Sequence, residues 1–326
     1  MEKMRRIETR DDALRLLGIA LRHEWAVSFE YVIHAYSMPK GKYFYEDPVM
    51  KSRTDSRAQI IQIGIDEMYH ALQLGIIIQQ MGGKASFETD EVIRYPRIVD
   101  NIKRDKMTED MVTDLYQFPE WKEGINPKLQ NMALNISADE VRHSRQFEAM
   151  IKTMEKEGNG EARCYEESPA AAAKEEVRLL HEITRLENEL VHRYLCYVIS
   201  FSEHQDLSQR LFKNSIDHMR HWDKNSGLLV RLGSVIQIEN SYRDADGTEK
   251  SVKPMPVVYP GTDRLSSLET LIPAEENLIR KYETLISLVP TVEVRDELSL
   301  RLALKREHLF TQEWLLRHAH TIKGFS

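Results

Sequence analysis

An all-α protein made of two tandem four-helix units is what this sequence predicts, on three observations. Apolar residues recur at steps of three and four along most of the chain. Glycine and proline, which interrupt helices, number only 14 and 11 in 326 residues, while Leu, Ala, Glu, Arg and Met are plentiful. The second half also repeats motifs of the first: "IDEMYHALQLG" from Ile65 is echoed by "IDHMRHWDKNSG" from Ile216, and "LRHEWAVSF" from Leu21 by "LENELVHRY" from Leu186.

The elements follow in order. The first helix is expected over 11–37, closed by Pro39, and the second over 55–81, with Gly82-Gly83 as its stop signal. A long connection follows. A shorter third helix covers 108–118 before Pro119, and a fourth covers 127–157 before "GNG". The stretch 158–173, "GNGEARCYEESPAAAA", reads as a linker between a first domain, 1–157, and a second, 174–326. Four more helices are expected over 174–202, 206–232, 266–288 and 294–321. The loop 233–262 carries Asp246-Gly247, a hairpin turn signal. In each half the longest connection lies between helices two and three, which suits a crossover along a bundle.

Composition narrows the class. Hydrophobic residues make up 41% and charged residues 30%, as in ordinary globular proteins. With a net charge of −7 and no basic run, nucleic acid is not an expected partner. No apolar run approaches the roughly 20 residues that span a bilayer, so no membrane is expected either. The N-terminus "MEKMRRIETRDD" lacks the apolar core of a secretion signal. Cys164 and Cys196 form no disulfide framework and no CxxC pair, which suits a reduced, cytoplasmic protein.

The chemistry is carried by ionisable groups in the middle of apolar stripes. The first helix gives Leu17, Leu21, Glu24, Ser28, Tyr31; the second Ile60, Ile63, Glu67, His70, Leu74; the fourth Ile136, Glu140, His143, Phe147, Met150. Glu67 and His70, like Glu140 and His143, are three apart and can aim at one spot. Charges buried this way must be paired or must hold metal. Pairing with Arg22, Arg142 or Arg145 would explain one helix, not three. Carboxylate and imidazole donors without thiolates suit iron or manganese. One Glu from each of two helices and Glu-x-x-His from each of two others is the ligand set of di-iron and di-manganese bundles. In that set Glu67 and Glu140 bridge, Glu24 and a third-helix acid are terminal, and His70 and His143 cap the ends. A lone Glu-x-x-His is a weak signal, and Glu189/His192 is a third such pair; the order of the motifs carries the specificity. On the third helix Glu109, Asp110 and Asp114 are all candidates. Glu109 is preferred for its reach and its line with Val112 and Tyr116, whereas Asp114 lies in line with Met107, Met111 and Phe118. Tyr31, two turns beyond Glu24, places a phenol beside the metals or serves as a core tyrosine.

The stretches "HEWAVSFEYVIHAYS", "IDEMYHA" and "ADEVRH" resemble the ferritin-like superfamily, in particular its bacterioferritin and rubrerythrin branches. The likeness covers the first half and, more loosely, the second. It implies two tandem ferritin-like four-helix bundles, with Glu24, Glu67, His70, Glu140 and His143 at ligand positions and Tyr31 at the place of a tyrosine near the di-iron centre. It also implies a di-iron (or manganese/iron) cofactor, reacting with ferrous iron, dioxygen or peroxide. In bacterioferritins a methionine at the place of Met68 ligates a shared haem, and Met219 matches it here; core filler is the plainer reading of both, so haem is not the expected cofactor.

The chain also departs from that pattern. Without CxxC pairs, electrons must come from an external donor. In the second half His218 replaces the Glu, His221 is kept, Lys305 stands three residues before His308, and Glu189 with Glu275 or Glu276 remain. An ammonium in the pocket replaces part of a cation's charge, so the second unit is expected to be a metal-free packing partner. A one-metal site from His218, His221 and His308 is the alternative; His318 and His320 read as a solvated tail. The expected function is a non-haem di-iron oxidoreductase. The alternatives are an oxygenase or oxidase acting on a small organic substrate, or a metal- or haem-binding protein without activity. A homodimer is compatible with either.

Overall fold

The computed structural model describes residues 6–85, 92–117, 120–122, 127–236, 250–252, 264–318 and 321. Among these the protein is all-α, with a few very short strands. The chain divides into two compact units, Met1–Tyr165 with Ile238–Pro254, and Glu166–Gln237 with Met255–Ser326.

In the first unit β1 (Arg6–Ile7) leads into α1 (Arg10–Tyr36). Thr9 starts that helix with a capping box: its hydroxyl accepts from the Asp12 N–H at 3.1 Å, and the Asp12 carboxylate accepts from the Thr9 N–H at 2.9 Å. The hairpin β2 (Phe44–Glu46) and β3 (Arg53–Asp55) carries the chain to α2 (Ser56–Gln80), which Asp55 caps by accepting from the Ala58 N–H at 3.1 Å. α2 ends where Gly82 turns left-handed (φ 69°), and Arg10 caps its last carbonyl, Met81 O, at 2.7 Å. Gly64 lets α1 and α2 approach closely, since a Cβ there would meet Val32 Cγ2 at 3.1 Å and the Ser28 carbonyl at 3.2 Å.

β4 (Val92–Arg94) precedes α3 (Ile98–Gln117), and β5 (Glu120–Trp121) precedes α4 (Pro127–Lys156). The third helix starts ten residues before the expected boundary at 108, because Ile98, Val99 and Ile102 extend its buried stripe beneath a charged surface. α3 runs antiparallel to α4, as Lys103–Glu155, Ser144–Asp110 and Gln117–Ser137 show. It also runs antiparallel to α1, through Glu24–Tyr116 and His34–Asp105. α2 and α4 are antiparallel in turn, through Asp66–His143 and His70–Asp139. α2 and α3 therefore point the same way, and their connection crosses the length of the unit. These pairings are compatible with a four-helix arrangement. β4 lies in that crossover and is gripped from α1. The Ile93 N–H donates to Glu30 at 2.8 Å, and the Ile93 carbonyl accepts from His34 Nε2 at 2.7 Å.

The division at Tyr165/Glu166 falls inside the stretch read as linker. Residues 158–165 stay with the first unit, through Ile98 N–Ala162 O at 2.9 Å, Cys164 N–Pro96 O at 2.9 Å and Tyr165 N–Ser37 O at 2.8 Å. β6 (Lys250–Val252), from the long loop of the second half, pairs antiparallel with β4 and so belongs to the first unit. The Asp246-Gly247 turn lies outside the described residues.

The second unit contains α5 (Pro169–Ala172), α6 (Glu175–Ser200), α7 (Gln205–Arg231), α8 (Arg264–Leu288) and α9 (Val292–His318). α6 packs on α7 and on α8, and α8 on α9. α7 reaches α9 through Asn225–Arg301 and Asp217–His308. No described helix is long and apolar enough to cross a membrane.

Candidate metal centre

The four long helices of the first unit each send carboxylates or imidazoles to one buried place. α1 supplies Glu24, α2 supplies Glu67 and His70, α3 supplies Glu109, and α4 supplies Glu140 and His143. All are at most 4% exposed. They fall into two groups whose ligand atoms lie within 4.8 Å of one another: Glu24, Glu67, His70, Glu140, and Glu67, Glu109, Glu140, His143. Glu67 and Glu140 belong to both groups; Glu24 with His70, and Glu109 with His143, belong to one each. The inward-facing Nδ1 of His70 is 2.9 Å from Glu67 and 3.1 Å from Glu140, and that of His143 is 2.8 Å from Glu67. All six predicted ligands, including the preferred third-helix acid, are thus brought together. Asp110 instead bonds Lys106 at 2.7 Å and Ser144 at 2.6 Å, and Asp114 stands outside both groups.

The cluster is short of hydrogen-bond donors. Glu24 Oε2, Glu67 Oε1, both oxygens of Glu109, Glu140 Oε1 and His143 Nδ1 are buried without a hydrogen-bond partner; the 2.8 Å approach of His143 Nδ1 to Glu67 Oε1 is a close pair without hydrogen-bond alignment. Buried polar atoms are satisfied as a rule, so six orphans in one place mark a missing partner of opposite charge. The protons respond accordingly. Burial and then the neighbouring Glu109 push Glu67 up to about 7. Burial and then Glu67, Glu109 and Glu24 hold Glu140 well above the carboxylate range. Burial also opposes the imidazolium forms of His70 and His143, but Glu67 and the other acids override it and raise both. Glu24 and Glu109 stay below the usual value despite burial, because His70 stands beside the first, and Glu140 and His143 beside the second. Protons thus stand in for cations among four carboxylates.

Two phenols flank the cluster. Tyr31 is fully buried, edge-on to Phe147 with ring centroids 5.3 Å apart, and burial and then Glu109 hold its hydroxyl protonated. Tyr116, which the sequence reading did not single out, donates to Glu24 at 2.8 Å. An outer layer was also missed. Asp139 accepts from His70 Nε2 at 3.4 Å, and Asp66 accepts from His143 Nε2 at 3.3 Å. Each aspartate sits one residue before a ligand glutamate and serves the histidine of the opposite helix. The "Asp-Glu-x-x-His" repetition was the available signal. Arg142 bonds these aspartates rather than the glutamates. Met68, 3% exposed, is packed in the interior, and Met219 is half-buried on α7.

A third acidic group, Glu30, His34 and Asp105, lies farther along α1 and α3. Its atoms are mostly matched by protein partners. His34 spans Asp105 at 2.6 Å and the Ile93 carbonyl, while Glu30 spans Arg104 at 3.1 Å and the Ile93 N–H. It reads as the clamp on the crossover.

The second unit holds its own buried cluster at corresponding helix positions, and one expectation needs correcting. The α6 acid is Glu187, fully buried, rather than Glu189, which lies in the outer layer against Arg185 and Arg193. The repeat is therefore offset by two residues from the "LENEL" match. Glu275 is the α8 acid, at 0% exposure, and Glu276 faces outward. Lys305, also 0% exposed, sits 2.8 Å from Glu187 and 2.8 Å from His218 Nδ1. His218 reaches Glu187 at 2.6 Å and donates from Nε2 to Glu275 at 2.8 Å. Tyr282 donates to Glu187 at 2.6 Å and Tyr194 to Glu275 at 2.7 Å. Against burial, Lys305 and then His218 hold Glu187 well below its usual value, and His218 does so for Glu275. Burial pushes His221 down to about 4. His218, Glu275 and His308 have ligand atoms within 4.8 Å of one another. His318 is half-buried and stacks on Trp314 at 4.5 Å, and His320 lies outside the described residues.

Both clusters are made of buried Glu and His groups that could hold a metal ion. Comparison of the chain with known protein families, curated proteins and solved structures finds no match.

Proposed function

We propose that the first unit is a ferritin-like four-helix bundle holding two metal ions, iron or iron with manganese. The second is a bundle of the same kind that works without metal. The protein would be a cytoplasmic non-haem di-iron oxidoreductase acting on ferrous iron, dioxygen or peroxide. The observation that carries this is the division of one orphaned cluster into two ligand groups sharing Glu67 and Glu140. Four carboxylates match the charge of two divalent cations, and oxygen with imidazole nitrogen suits iron or manganese.

When bound, the metal pair would supply the electrons for reducing dioxygen or peroxide. The chain's residues do the rest. Glu67 and Glu140 face both positions; Glu24 with His70, and Glu109 with His143, close one position each. Asp139 and Asp66 hold the histidine ring protons on Nε2 and so leave Nδ1 free to ligate. Tyr31 and Tyr116 keep hydroxyl protons beside Glu109 and Glu24, where proton-coupled chemistry can draw on them. Cys164 and Cys196 are each buried and free, and reducing equivalents would come from an external donor.

Anaerobic titration with Fe(II) followed by oxygen tests the proposal. Expected are saturation near two irons per chain and an oxygen-dependent absorbance change, both lost in Glu67→Ala. Iron binding without any optical response to oxygen or peroxide would leave a binding protein and sink the oxidoreductase reading.

A further inference from the structure

Arg142 lies on the solvent side of His70 and His143. Its Nη2 is 3.1 Å from Asp66 Oδ2 and 3.1 Å from Asp139 Oδ1, joining α2 to α4, and it also lies 3.0 Å from His143 Nε2. Asp66 is 27%, Asp139 40% and Arg142 39% exposed at the side chain, whereas the histidines behind them are 5% or less. One imidazole therefore separates solvent from the orphaned carboxylates.

Two features make this arginine a removable part. A metal on Nδ1 of His143 forces the ring proton onto Nε2, where it needs Asp66 as acceptor. In this structure Nε2 already donates to Asp66, so the guanidinium, a donor only, crowds another donor at 3.0 Å and is held in place by its two aspartates against that contact. The second unit supplies the other feature. There Leu304 and Glu307 stand at the positions of Asp139 and Arg142, and Glu307 is 60% exposed with Lys213 3.9 Å away. Asp217 keeps the place of Asp66 there and bonds His308 at 3.3 Å, so it is Asp139 and Arg142 that accompany the first cluster and are missing where Lys305 fills the pocket.

We infer that Arg142 is a displaceable plug on the α2–α4 seam, and that divalent cations reach the buried carboxylates there, past Asp66 and Asp139. This rests on the two-metal reading of the first unit. With Arg142 in place the seam presents two carboxylates and one guanidinium. With it swung out, two carboxylates front a cluster of four more, and their field draws in a hydrated cation.

The test is the rate of Co2+ uptake by the full chain, followed by stopped-flow absorbance without oxygen, beside the final Co2+ count. Arg142→Gln is expected to load about tenfold faster, at the low end of electrostatic focusing, with the same final count. Arg142→Lys should stay near the wild-type rate and Asp139→Asn should load more slowly. Unchanged or slower uptake in Arg142→Gln, with the count intact, overturns the inference and leaves the two-metal reading standing. Absence of Co2+ binding by the wild type overturns both. Should Arg142→Gln fail to fold, Arg142→Met decides: faster uptake at the same final count supports the plug and an unchanged rate overturns it.

Discussion

In the first unit four buried glutamates face two imidazoles; in the second, at matching helix positions, two buried glutamates face a lysine and three histidines. Glu24 corresponds to Glu187, Glu109 to Glu275, His70 to His221, His143 to His308, Tyr31 to Tyr194 and Tyr116 to Tyr282. The positions that differ in kind are Glu67, which becomes His218, and Glu140, which becomes Lys305. These two are the glutamates shared by both ligand groups in the first unit. Replacing them removes two negative charges and adds an ammonium, so the second pocket carries part of a cation's charge within the chain. A buried charge can be met by a cation from outside or by one built into the chain, and the same helix frame accommodates both.

The largest expected effects break that contrast outright. Glu67→Ala removes a member of both ligand groups, so metal content should fall from two ions per chain to none by elemental analysis, with the second unit intact. Lys305→Ala should leave metal content unchanged. It takes the ammonium from Glu187, which keeps His218 and Tyr282, so the cost should reach at most the roughly 3–5 kcal/mol of breaking a buried pair, which denaturant unfolding of the second unit would read.

The response to pH should differ in sign between the units. Glu67 has its folded pKa raised from 4.5 to about 7. The stability linked to its proton is present below 4.5 and is lost as pH rises through about 7. Glu187 and Glu275 have depressed values, so their contribution is present above the unfolded value and is lost only as pH falls into the acid range. Hydrogen exchange on metal-free protein should therefore show the Glu67 neighbourhood of the first unit loosening as pH rises through neutrality, and the Glu187–Glu275 neighbourhood of the second loosening as pH falls into the acid range. Metal should abolish that loosening.

Smaller effects sharpen the picture. Asp139→Asn leaves all six ligands in place but weakens the acceptor for His70, and changes of this kind cost 10–100-fold in metal affinity, to order of magnitude; competition with a chelator would measure it. Tyr116→Phe deletes one hydrogen bond to Glu24 and should cost about 1 kcal/mol in thermal unfolding, with two metals retained.

The ligands were legible in the sequence because each interrupts an apolar stripe at a helical step. Glu109 could be preferred over Asp110 and Asp114 because Val112 and Tyr116 share its line. The outer layer left only the Asp-Glu-x-x-His repetition as its trace. Asp66 and Asp139 are part-exposed, and such residues look like an ordinary solvated face until the opposite helix is in place. The first half of α3 was hidden for a related reason: Lys103, Arg104 and Asp105 read as loop polarity, yet Asp105 is buried against His34, 71 residues earlier. Glu187 and Glu189 are both glutamates in one short motif, and only depth in the fold separates them. The pairing of β4 with β6 joins segments more than 150 residues apart and leaves no periodic trace.

The central claim is that the same frame holds two metal ions in one unit and a built-in cation in the other. An anomalous-difference map from crystals grown with Fe(II) or Mn(II) tests it most directly. The account predicts two peaks among Glu24, Glu67, His70, Glu109, Glu140 and His143, and none beside Lys305. Peaks at His218, Glu275 and His308, or an empty first unit, would contradict it.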